Sequence, residues 1–143
     1  MKQEREMTSE FSIAVHALVF LNHKGTVYSS EGLAENICTN AARIRKIMVK
    51  LKKAGLVETK EGIDGGYLFV KNSEETDLCT IADALEFSFV TSGWKSGSSE
   101  MKCLIASGMA GVMEDVYKDL DQQCRRRLRQ ITIADLDKQI FKT

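Results

Sequence analysis

Residues 29–70 read SSEGLAENICTNAARIRKIMVKLKKAGLVETKEGIDGGYLFV, and the order of signals along this stretch decides the fold. The pair Ser29-Ser30 caps a helix over Glu31 to Asn36, whose Leu33 and Ala34 share a face with Ile37. Thr39-Asn40 supplies a second cap. Ile44, Ile47, Met48 and Leu51 then recur at helical spacing as far as Ala54-Gly55, where the glycine serves as a left-handed stop. Only a tight connection fits between Asn36 and Asn40, so the two helices cross steeply as a helix-turn-helix. The period then changes. Leu56-Val57-Glu58-Thr59 and Tyr67-Leu68-Phe69-Val70 are short strand-like runs, with Gly62-Ile63-Asp64-Gly65-Gly66 as a hairpin tip between them. A helix-turn-helix followed by a β-hairpin is a winged helix.

Upstream, Phe11, Val15, Leu18 and Leu21 place an amphipathic helix over Glu10 to His23, closed by the turn signal His23-Lys24-Gly25. Thr26-Val27-Tyr28 is a short β-prone link. Beyond the wing, Asn72 to Leu78 is polar and acidic, and Thr80-Ile81-Ala82-Asp83 reads as a capping box opening a helix to about Phe87. The Gly- and Ser-rich stretch Thr91 to Glu100 is a loop. From Leu104, the residues Ile105, Met109, Val112, Val116, Leu120, Cys124 and Leu128 form an apolar stripe over about six turns, which demands a partner helix. A last helix starts at Thr132 with Asp135 completing its cap, and carries Leu136 and Ile140. The expected class is mainly α with a small β-hairpin, a winged helix-turn-helix plus a long C-terminal dimerisation helix. Residues 8–72 form the DNA-binding region, and 73–143 a helical dimerisation and sensing region packed with it as one compact domain.

The 143 residues, 43% of them hydrophobic, suit one core. Lys+Arg and Asp+Glu are both 20, so whole-chain charge gives no argument for a nucleic-acid partner. Local charge does. Arg43, Arg45, Lys46, Lys50, Lys52, Lys53 and Lys60 stand against a single acid, Glu58, between positions 43 and 60. For a lone helix a solvated basic face is the default reading; as the second helix of a helix-turn-helix beside a wing, the same cations point to double-stranded DNA. Recognition helices enter the major groove by their N-terminal end, which selects Asn40, Ala42, Arg43, Arg45 and Lys46 for base edges. Lys50, Lys52 and Lys53 lie further along, toward phosphates. Lys60 reaches for the minor groove from the wing, against the repulsion of Glu61 and Asp64.

Other classes find little support. The apolar run Ala14 to Leu21 is too short for a bilayer, and the mixed-charge N-terminus is no signal segment, so the reading is cytoplasmic with no membrane partner. Cys38, Cys79, Cys103 and Cys124 show no metal or dithiol spacing. No nucleophile-base set, phosphate loop or paired carboxylate stands out, so the chain is read as no enzyme, without metal or cofactor.

The patterns Phe11-x-x-Ala14-Val15-His16-x-Leu18, Leu33-Ala34-Glu35, Ile44-Arg45-Lys46-Ile47-x-x-x-Leu51-x-Lys53-Ala54-Gly55-Leu56-Val57, Gly62-x-x-Gly65-Gly66-Tyr67 and Thr80-Ile81-x-Asp83-Ala84 resemble the Rrf-two family of bacterial regulators. That family includes the iron–sulfur cluster regulator, the nitric-oxide-sensing repressor and the cysteine-metabolism repressor. The resemblance covers about Thr8 to Leu136. It implies a homodimeric regulator, a repressor, on a palindromic operator contacted by helix 39–54 and wing 56–71. Cluster-bearing members resemble one another in three closely spaced cysteines before the long helix; here only Cys103 stands there, and Ala106 occupies the place of one member's histidine ligand. Glu61 stands where some relatives have arginine. A cluster needs about four ligands, so the expected signal is thiol oxidation at Cys103 or a small-molecule effector. Cys124 is read as a core or dimer-seam residue, and His16 as a hydrogen-bonded core histidine. Trp94 either covers a small-molecule pocket or anchors its loop. The competing class is a winged-helix adaptor that binds protein and lacks specific DNA binding.

Overall fold

A computed structural model describes residues 2–142, with side chains described from residue 9 onward. In chain order the elements are α1 (Lys2–Lys24), α2 (Ser30–Ile37), α3 (Ala41–Lys53), β1 (Val57–Lys60), β2 (Gly66–Phe69), α4 (Leu78–Ala84), α5 (Leu104–Leu128) and α6 (Ile133–Phe141). This is a winged helix-turn-helix with a long C-terminal helix. The described chain forms two compact units: one joins everything up to Phe87 with the segment from Leu128 onward, and the other is Ser88–Arg127.

The first unit is built on periodic apolar faces. Ala14, Ala17, Leu18 and Leu21 of α1 are buried with Leu33 of α2 and with Ile44, Ile47, Met48 and Leu51 of α3. Ser29 caps α2 by accepting the Gly32 N–H at 3.0 Å, and Cys38 ends it in the left-handed region, which turns the chain sharply toward α3. The strands β1 and β2 pair antiparallel with Val57 opposite Phe69 and Lys60 opposite Gly66, one residue away from the expected strand bounds. The β-prone link joins them: Tyr28 and Tyr67 exchange backbone hydrogen bonds of 3.1 and 2.8 Å. Gly66 makes this approach feasible, because a Cβ there would collide with the Tyr28 carbonyl. The wing is thereby tied to the start of the helix-turn-helix.

Two expectations need correction. α1 begins at Lys2 rather than near Glu10. The helix after the wing is capped by Asp77, which accepts the Thr80 N–H at 2.9 Å, so Thr80 and Asp83 lie inside α4, and the helix stops at Ala84. Tertiary pairing sets the helix start at this earlier residue. Leu78 N–H donates to the Ile131 carbonyl (2.9 Å) and Ile133 N–H to the Thr76 carbonyl (3.0 Å), which sets the starts of α4 and α6 side by side. α6 carries the expected box, with Thr132 and Asp135 each bonding the other's backbone N–H.

In the second unit α5 spans 25 residues and buries none of them. Asp121 holds the start of its preceding segment: one carboxylate oxygen accepts the N–H groups of Phe89 (2.7 Å) and Val90 (3.1 Å), and the other accepts from Arg125 Nε at 3.0 Å. Burial pushes this carboxyl up, but the Val90 N–H, the Arg125 guanidinium and the Phe89 N–H outweigh it and hold it below its ordinary value of 3.8. A depressed carboxyl contributes stability that is complete above its unfolded value and lost as pH falls through its folded one. The amide NMR shifts of Phe89 and Val90 are therefore expected to hold constant down to about pH 4 and to move together below it. In Asp121→Asn that titration should vanish. A wild-type transition well above pH 4 would show that the carboxylate does not hold the segment.

Candidate nucleic-acid interface

The N-terminus of α3 is set by Asn40, whose side-chain oxygen accepts the Arg43 N–H at 2.8 Å. With Ile44, Ile47, Met48 and Leu51 turned inward, the exposed face carries Ala42, Arg45, Lys46, Val49, Lys52 and Lys53. Arg45 Nη1 lies 3.2 Å from Ser30 Oγ and 3.5 Å from Glu31 Oε1, both at the start of α2. The Glu31 carboxyl is held low by its own backbone N–H and the Ser30 hydroxyl, and less by Arg45. Both partners are exposed, so solvent and salt screen the pair and it holds Arg45 only weakly.

The other sequence-selected cations are not equivalent. Lys46 and Lys50 place their ammonium groups 3.7 and 3.5 Å from the two oxygens of Glu10, whose side chain is only 17% exposed on α1. Two cations on one carboxylate leave a net positive charge on that flank. Arg43 is half-buried. Lys52 donates to Thr59 Oγ1 on β1 at 3.0 Å, which links the helix end to the wing. Lys60 is exposed at the end of β1, beside exposed Glu61 and Asp64.

Sequence reasoning missed two positions. Val49 is 67% exposed, four residues after Arg45 and three before Lys52, at the middle of the outward face. An apolar side chain there fits a thymine methyl, and the signal was its place on the helical wheel between two cations. Ile63 is fully exposed at the wing tip, and only its neighbours Gly62 and Asp64 hinted at that.

Over residues 7–139 the sequence matches Rrf2, described as iron-dependent transcriptional regulators. The chain belongs to the Rrf2 family. A Lactobacillus plantarum protein classed as a transcriptional regulator superposes with a TM-score of 0.81 at 27% identity, over 92% of this chain and 89% of that one. IscR of T. potens matches at 0.66 and 21% identity over 92% and 85% of the two chains. CymR, the global cysteine regulator of B. subtilis, matches at 0.66 and 15% identity over 90% and 93%. No curated protein matches the chain. As an Rrf2 protein it is a DNA-binding transcription regulator. Among the described residues no helix is long and apolar enough to cross a membrane.

Iron is part of the family description, so the donors present have to be weighed against it. Cys103 is exposed, Cys79 buried, Cys38 exposed in the helix-turn-helix and Cys124 half-buried on α5. Among the described residues no group of three His, Cys, Asp or Glu side chains is placed to hold a metal ion. One thiol before α5 does not fit an iron–sulfur cluster, which takes about four ligands. The remaining expectations fare differently. His16 is exposed rather than in the core, since it faces the end of α2 and bonds Asn36. Trp94 is exposed, with its backbone carbonyl bonded by Ser92.

Proposed function

We propose that this Rrf2 regulator is a cytoplasmic homodimeric repressor that binds a palindromic operator through helix 39–54 and wing 56–71. The observation that carries the reading is the exposed face of α3, where Arg45, Val49 and Lys52 line up beside the wing. In this reading Arg45 and Ala42 face base edges, joined by Arg43 and Lys46, while Lys50 and Lys60 meet phosphates. With its oxygen used in the cap, Asn40 offers DNA its side-chain NH2. Dimerisation rests on α5, whose Leu104, Ile105, Val112 and Val116 are exposed on a helix that buries nothing. A two-fold dimer presents two α3 helices and so asks for a symmetric site.

The signal in this proposal is a small ligand or an oxidant at Cys103. The N–H groups of Ala106 and Ile105 hold the Cys103 thiol below the usual thiol range, which favours the thiolate. A thiolate attacks the O–O bond of a peroxide, giving a sulfenic acid and releasing the alcohol or water.

Salt separates this reading from a protein-binding adaptor. Log affinity for duplex DNA is expected to fall linearly with log salt, by about 0.9 for each phosphate neutralised. Replacing Arg43 and Arg45 together by alanine should abolish preference for the operator. Fluorescence anisotropy on labelled duplexes reads both. Salt-insensitive binding, or binding unchanged in the double variant, would favour the adaptor.

A further inference from the structure

The first unit carries a groove that DNA recognition does not use. It has a volume of about 680 Å³ and runs between α1 and α6, with Val15, Val19, Leu136 and Ile140 among its apolar walls. That volume lies within the range of about 300–1,000 Å³ found for small-molecule sites. Its polar lining comprises Ser12, His16, His23 and Lys24 of α1, Asn36 of α2 and Gln139 of α6. His16 Nε2 is 2.7 Å from Asn36 Oδ1, at the end of α2. His23 stacks on Phe141 with ring centroids 4.0 Å apart, and its Nδ1 is 3.0 Å from Asp137 Oδ1. Lys24 stands over the Phe20 ring at 5.7 Å. Among the described lining residues Lys24 bears the only formal charge, and no carboxylate lines the groove.

An apolar trough with one cation at its margin is complementary to a molecule with an apolar body and one anionic head. We propose that the groove binds an amphipathic monocarboxylate, its hydrocarbon body between α1 and α6 and its carboxylate at Lys24. Asn36 lies two residues before Cys38, the left-handed turn that leads into α3. An occupant that displaces the His16–Asn36 bond acts directly on the last turn of α2 and so on the setting of the recognition helix. The inference rests on the reading of the chain as a signal-responsive regulator, and it names the site and chemistry of the signal.

The test uses the full chain and the fluorescent polyene fatty acid cis-parinarate as probe, displaced by dodecanoate or by 1-dodecanol, which has the same chain length without the charge. Dodecanoate should displace the probe at about tenfold lower concentration than dodecanol, as a charge-assisted contact implies. Lys24→Gln should erase that difference and leave displacement by dodecanol unchanged. Ile140→Asp, at an exposed position, should weaken both. Saturating dodecanoate should also shift operator affinity in the wild type and not in Ile140→Asp. Equal displacement by acid and alcohol, or an unaltered difference in Lys24→Gln, would overturn the proposal. Probe binding that appears only on dilution to monomer would also overturn it, by showing that a second copy covers the groove. An operator affinity indifferent to bound dodecanoate would overturn the coupling. Because probe displacement is read without DNA and operator affinity without ligand, loss of one leaves the other to be judged by itself.

Discussion

The double substitution V112D/V116D is expected to turn the proposed dimer into monomers and to lower affinity for its proposed palindromic operator by at least about 100-fold. α5 is about 37 Å long, and its apolar stripe is exposed from Leu104 to Leu120, with Val112 57% and Val116 42% exposed. Two carboxylates there cost the isolated protomer little, since both side chains are exposed on it. In a helix-to-helix interface the same carboxylates would be desolvated without partners, a penalty of several kcal/mol. Loss of the dimer removes the linkage that makes binding of the second half-site intramolecular. Sedimentation velocity at micromolar concentration, with far-UV circular dichroism to check that the helices remain, reads the outcome. A variant that stays dimeric would place the interface elsewhere.

The second large effect concerns base reading. Arg45→Ala is expected to cost about 1–3 kcal/mol on the cognate site and to relax preference at one position of each half-site. Arg45 is the exposed arginine on the outward face of α3, held by Ser30 and Glu31 of α2. Removing it also takes away the cation paired with Glu31 at the start of α2, which leaves that carboxylate's charge unbalanced there. Lys52→Ala, by contrast, should weaken all duplexes alike and reduce the salt slope by about 1 per protomer. Competition titrations with single-base variants of the operator distinguish the two: a uniform loss in Arg45→Ala would make Arg45 a phosphate contact.

The winged helix was legible because its signals are local. The caps at Ser29 and Asn40, the inward set Ile44 to Leu51 and the glycines of the wing each act within a few residues, and the hairpin emerged within one residue of its place. The bounds of α5 and the cap of α6 were legible for the same reason. What was hidden depends on partners far along the chain. Asp77 prevails over Thr80 as a cap because the neighbouring backbone pairs with Ile131, more than 50 residues away. Lys46 and Lys50 looked like free cations until α1 brought Glu10 beside them. His16 has the spacing of a core residue but falls at the edge of the α1 face, next to Asn36. Nothing local marked Asp121 as the anchor of Phe89 and Val90, since acids flank the stripe at several positions.

The central claim is that two copies of this chain read DNA through the outward face of α3. Selection of bound duplexes from a random-sequence pool, with wild-type protein and Arg45→Ala in parallel, tests it most directly. The wild type is expected to select a two-fold symmetric motif, with half-sites one helical turn apart or a multiple of it. Arg45→Ala should return the same symmetry with one position per half-site degenerate. A pool that yields no motif, an asymmetric motif, or the same motif from both proteins would contradict it.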